Sequence, residues 1–183
     1  MVTESASIVS VTKLDAAQAQ LREAIVMFFE ERSAIAIHTL VLASHQILHD
    51  YMGRTTSMIK NERVVREYGK ERIERFNKEF NFFKHAKNDA KQSLRFDPEL
   101  HTFFLADALH LYAAATGKWP HEHQVFNLWF ILKRPHMVEA EVAKSAIAAA
   151  RKAGWSHEGK RVFLELLRNP SQFSAQVASA SDP

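Results

Sequence analysis

Five glycines and five prolines are spread over 183 residues, and no Asn-Gly or Asp-Gly pair occurs to close a hairpin. Apolar residues recur at three- and four-residue spacing almost throughout, which is the period of an amphipathic helix. A chain so short of breakers and hairpin turns is committed to helices. The expected fold class is all-α: an antiparallel helical bundle of about four core helices with additional C-terminal helices.

Local signals place the helices. Thr12 followed three residues later by Asp15 has the form of a capping box, and Leu14, Ala17, Leu21, Ala24, Ile25 and Phe28 then mark one face of a first helix ending near Glu31. Ser33 is the expected N-cap of a second helix, which runs to Met52 and stops at Gly53. Residues Asn61 to His85 read as a third, with Ile73, Phe76, Phe80 and Phe83 in one stripe. Asp97 and Pro98 read as cap and first residue of a fourth helix, through Tyr112 to Gly117. A fifth is expected from Gln124 to Lys133, a sixth from about Met137 to Lys152, and a short last one from Lys160 to Leu167. The expected organisation is a flexible segment 1–13, then a single all-α domain 14–168, with core bundle 14–117 and appended helices 118–168. The small and polar residues 169–183 read as a disordered tail.

Composition removes several function classes. The 24 Lys and Arg against 21 Asp and Glu leave a formal charge of +3, too little to steer nucleic acid by net charge alone. With no cysteine there is neither a disulfide nor a thiolate nucleophile or metal ligand. The start, MVTESASIVSVTKLD, lacks a basic segment followed by a long apolar one, and no apolar run is long enough for a membrane span. A cytoplasmic protein without membrane contact is the expectation.

The second helix carries His38, His45 and His49 in HTLVLASHQILHDY. At about 100° per residue all three fall within roughly 40° of one another. A rise of about 1.5 Å per residue separates His38 from His45 by roughly 10 Å, so these two cannot share an ion, whereas His45 and His49 at i, i+4 can. A metal site there would need a carboxylate from Glu30, Glu31, Asp50 or Asp107. The alternative is a set of polar side chains hydrogen-bonded inside the bundle. His121 and His123, between Trp119 and Trp129, form a His-x-His pair on an expected loop and read as a surface turn without a third ligand.

Within EFNFFKHAKND, residues 79–89, Phe76, Phe80 and Phe83 share one helical face; Asn81, His85, Asn88 and Asp89 lie toward the other, with Lys84 on the flank. Asn81 and His85 at i, i+4 can reach one ligand beside the Lys84 ammonium, a combination suited to holding phosphate or moving a proton. The order of SAIAIHTLVLASHQIL followed by NFFKHAKND resembles the HEPN superfamily (higher eukaryotes and prokaryotes nucleotide-binding), over about residues 14–117. Many members carry an Arg, a polar residue and a His about four positions further on; Asn81 and His85 match the latter two, and Phe80 stands in the place of the Arg. The resemblance implies a helical bundle, often a homodimer, that binds nucleotide or RNA, with active members cleaving RNA without metal at a cleft shared by two protomers. The missing charge would have to come from Lys84, Arg75 or Arg72.

Three readings follow. The first is a HEPN-like bundle that binds nucleotide or RNA through His38, Asn81, Lys84, His85 and Asp89 without a cofactor, with metal-independent RNase activity through Asn81, Lys84 and His85. The second is a His/carboxylate bundle that holds a divalent transition metal at His45 and His49 and acts as a hydrolase. The third is a non-catalytic protein-interaction module. A carboxylate on a neighbouring helix facing His45 favours the second; a basic cleft containing His85 favours the first; a large exposed apolar face favours the third.

Overall fold

The computed structural model describes residues 8–53, 78–79, 81–85 and 91–174. All regular structure among these residues is helical. The helices are α1 (Lys13–Phe29), α2 (Ala34–Met52), α3 (Leu100–Thr116), α4 (His121–Lys133), α5 (Ala140–Ala153) and α6 (Lys160–Arg168), with a 3-10 turn at Pro135–Met137. Most of the expected third helix, with Phe80 and Asp89, lies outside the described residues; 78–79 and 81–84 are helical. None of the helices among the described residues is long and apolar enough to cross a membrane.

The capping box of α1 forms as its sequence dictates. Thr12 Oγ1 accepts the Asp15 N–H at 3.1 Å, and Asp15 Oδ2 accepts the Thr12 N–H at 3.0 Å, so two of the helix's orphan donors are satisfied. The other end closes without glycine: Glu31 takes φ 55°, its N–H donates to Phe28 O, and the Arg32 N–H donates to Met27 O. This is the Schellman arrangement, with a charged residue where glycine is usual. Ser33 and Gly53 bound α2 as expected, Ser33 Oγ accepting the Ala36 N–H and Gly53 taking φ 80°.

The pairing of residues fixes the directions. Short connections make α1 antiparallel to α2 and α3 antiparallel to α4. Phe28 near the end of α1 meets His101 near the start of α3, so these two are antiparallel, and α2 and α3 therefore run parallel. Alternate members of an up-down bundle stand in this relation. Eleven of the seventeen residues of α3 are buried, which makes it the central helix.

Three helix starts differ from expectation, the first being that α5 opens at Ala140 and not near Met137, which lies in the 3-10 turn. Leu100, not Pro98, begins α3, because Asp97 Oδ1 accepts the Glu99 N–H and holds Pro98 and Glu99 in a turn. At α4 the helix starts at His121, so His121 and His123 lie in its first turn and not on a loop; His123 is buried. The later helices share a hydrophobic cluster with the first ones. Phe126 and Trp129 of α4 pack on Phe28 at 5.5 and 4.6 Å between ring centroids, and Phe163 of α6 stacks on Phe29 at 5.5 Å. Residues 170–174, within the stretch expected to be a tail, form a further helical turn that buries Phe173.

That turn is therefore part of the core. Phe173→Ala is expected to cost about 3 kcal/mol and Trp129→Ala roughly 3–5 kcal/mol, against about 1 kcal/mol for Thr12→Ala at the α1 cap. Urea unfolding followed by circular dichroism measures all three, and a Phe173→Ala variant as stable as wild type would return that turn to the tail.

Candidate functional site

The α2–α3 contact carries an unusual load of polar groups. On α2 the buried face runs through Ile37, His38, Val41, Leu42, His45, Leu48 and His49, a helical stripe in which apolar residues alternate with imidazoles. Across from it, Asp107 is the single Asp, Glu, Lys or Arg between Leu100 and Thr116. His45 Nε2 and Asp107 Oδ2 are 2.7 Å apart, and each residue is 1% exposed. A carboxylate has no proton to give, so Nε2 is the donor, and the lone pair of a neutral ring lies at Nδ1. Phe104, one turn before Asp107, presents its ring to His45 edge-on at 5.2 Å and excludes water from that side.

His49 follows one turn along α2. Its ring lies 6.3 Å from that of His45, tilted by 19°, and its Nδ1 is 3.6 Å from the exposed Asp50 carboxylate, beyond hydrogen-bond distance. Among the described residues no third His, Asp or Glu completes a metal-binding group.

The structure separates His38 from the surface residues with which the sequence grouped it. His38 is fully buried, its ring edge-on to Phe83 at 5.7 Å and Phe96 at 5.0 Å, and neither nitrogen has a hydrogen-bond partner among the described residues. Asn81, Lys84 and His85 are instead exposed on a single helical turn, the His85 N–H donating to Asn81 O at 2.9 Å. Phe83 is the link between the two, facing inward from the same turn. His38 is thus a buried residue of the core. Asp89 lies outside the described residues.

Sequence reasoning missed the burial of two further imidazoles. His101 lies against Phe28, and His123 is edge-on to Tyr112 at 5.1 Å with neither nitrogen bonded among the described residues. Burial lowers the pKa of His38, His101 and His123 to about 4 in each case, with the nearby His38 adding to the effect at His101. Of the four candidate carboxylates, Glu30 is drawn to Arg32 and Arg168, Glu31 stands near Lys160 and Asp50 is exposed, so Asp107 is the one that turns to His45. In the sequence it stood level with the other three; the signal that could have separated it is its standing as the one acidic residue of α3, because a buried carboxyl without a partner is costly.

A groove of about 900 Å³ opens elsewhere, between α4, α5 and Phe173; Trp119, Leu128, Ile131 and Trp155 wall it together with the neutral Gln124, Asn127 and Ser145. None of its lining residues is ionisable, so it offers no acid–base or metal chemistry.

Fold and site together define an all-α bundle with an imidazole–carboxylate pair buried between parallel helices. No protein-family profile matches the chain, and neither a curated protein nor a solved structure matches it.

The three depressed histidines set an acid limit on the fold. Their folded pKa of about 4 lies below the ordinary 6.5, so the unfolded chain binds protons that the native state refuses. Their neutral burial is harmless above pH 6.5, and stability falls as the pH drops from there toward 4, each group costing about 1.4 kcal/mol for every tenfold by which folding weakens its hold on the proton. Urea unfolding at pH 7 and pH 5 is expected to show the loss, and His123→Leu to shrink it; equal stability at both values would mean that these rings are charged or bonded in the fold.

Proposed function

We propose that the protein is a His/carboxylate helical bundle that takes a divalent transition metal at His45 and His49 and uses it for hydrolysis. The observation that carries this reading is the 2.7 Å bond from His45 to Asp107 across the α2–α3 contact. A carboxylate on one ring nitrogen fixes the tautomer, holds the ring in place and raises the basicity of the other nitrogen, which is how metal-ligating imidazoles are commonly supported. His49, at i, i+4 and with its ring 6.3 Å from that of His45, would offer the second ring. An ion held there supplies Lewis acidity and lowers the pKa of a bound water. The residues' own tasks are distinct: His45 and His49 bind, Asp107 orients His45, and Phe104 keeps one side of the ring dry.

Metal content is measured on the purified, untagged protein by inductively coupled plasma mass spectrometry, with zinc and manganese titrated calorimetrically into the stripped protein. Binding near one ion per chain is expected. His45→Ala and His49→Ala should abolish it, and Asp107→Asn should weaken it by about tenfold or more. Absence of both native metal and saturable binding would overturn the reading.

The nucleotide-binding reading is supported by a separate observation, the exposure of Asn81, Lys84 and His85 on one turn. It expects His85→Ala to remove binding of a short RNA in a fluorescence polarisation assay while leaving the helical circular dichroism spectrum intact. Unchanged RNA affinity in His85→Ala would exclude this turn as the site.

A further inference from the structure

One end of the bundle gathers cations around too few acceptors. Glu99 Oε2, just before α3, receives Lys133 Nζ at 2.8 Å and Arg134 Nη2 at 2.9 Å, so a single oxygen serves the last residue of α4 and the one after it. Arg134 is only 9% exposed, its guanidinium held 4.4 Å from the centre of the Phe103 ring and 5.3 Å from that of Phe130. Its Nη1 is buried with no hydrogen-bond partner among the described residues. Leaving a charged donor dry and unbonded is among the costlier arrangements in a protein interior, and it is relieved by an acceptor brought from outside.

Lys160, the first residue of α6, adds a third cation. Its Nζ sits 4.1 Å from the centre of the Phe28 ring and 3.8 Å from Glu31 Oε1, too far for a hydrogen bond to that carboxylate. Phe28 packs on Trp129 at 4.6 Å, and Lys133 Nζ lies 5.3 Å from the centre of the Trp129 ring, so the two ammonium groups flank one aromatic pair. The charged groups at this end are therefore Lys133, Arg134 and Lys160 against Glu99 and Glu31, both more than half exposed, with the Asp97 carboxylate bonded to the Glu99 N–H. Gly159, which precedes α6, has no side chain to cap that helix, so the positive end of its dipole reinforces Lys160.

We propose that this end of the bundle is a binding site for a phosphate group, in which Arg134, Lys133 and Lys160 hold the oxyanion and Glu99 is the internal carboxylate it displaces. A planar guanidinium with a spare donor suits the bidentate geometry of phosphate, and the two lysines supply the second charge. Glu99, on an exposed side chain, competes with the anion for the same donors and swings into solvent when it binds.

The test is calorimetric and thermal titration of the full chain with inorganic phosphate, and in a parallel arm with AMP, against sodium chloride at matched ionic strength. Saturable binding and a rise in melting temperature beyond that in chloride are expected. Tighter binding of AMP than of phosphate would identify a monoester as the source of the group, and equal binding would identify the free ion. Lys160→Met and Arg134→Gln should each weaken the affinity by about tenfold. Glu99→Gln should strengthen it several-fold, a gain that a purely structural ion pair would not give and that loss of folding cannot mimic. A response to phosphate and AMP no larger than that to chloride, in wild type and in Glu99→Gln alike, would overturn the proposal.

Discussion

The bond between His45 and Asp107 sets the geometry on which the remainder of the bundle depends. A carboxyl group at 1% exposure on an otherwise apolar helix is tolerated only with its partner in place. Sliding α2 past α3 by one turn, about 5.4 Å, would strand both groups in hydrocarbon. Apolar seams accept several registers with similar energy; this pair accepts one. The same register sets His38 close to His101 and carries the start of α3 to the end of α1, where Phe28 meets His101.

From that end the core is built by aromatic rings. Phe28 and Phe29 of α1 receive Phe126 and Trp129 of α4 and Phe163 of α6, and the Trp129 indole N–H donates to His157 O at 2.9 Å, so its polar edge is satisfied as its face is buried. These contacts join the later helices to the first ones in one hydrophobic cluster. They also bring Lys133 and Arg134, at the end of α4, and Lys160, at the start of α6, to the place where α3 begins. Cations at the rim and neutral imidazoles just inside it are consequences of one packing arrangement: the rings exclude water, which keeps His101 uncharged and leaves Arg134 dry.

Much of the fold was legible because helix signals are local. Thr12 and Asp15, Ser33, and Gly53 acted as punctuation whose chemistry operates within a turn, and the start of α1 and both ends of α2 lie where those residues place them. Errors arose where a nearby side chain altered the start of a helix, as Asp97 did by holding Glu99 in a turn, or where tertiary contact recruited a segment that composition marks as loose, as Trp155 did by stacking on Phe173 at 6.3 Å. The histidine stripe on α2 was visible as periodicity. Its meaning was not, since the same stripe is consistent with three solvated, three bonded or three stranded rings.

The sequence by itself determined that this chain is helical, which residues form the inner face of α1 and α2, and that His45 and His49 share a side. These follow from spacing along one helix, where neighbours three and four residues apart meet whatever the rest of the chain does. Tertiary structure alone decided that Asp107, rather than Glu30, Glu31 or Asp50, turns to His45, that His38 is shut in the core while His85 is exposed, and that Glu99 and Arg134 meet across 35 positions of sequence. Such pairings depend on the register and direction of packed helices, which arise from the summed burial of many side chains and are encoded in no single stretch of sequence.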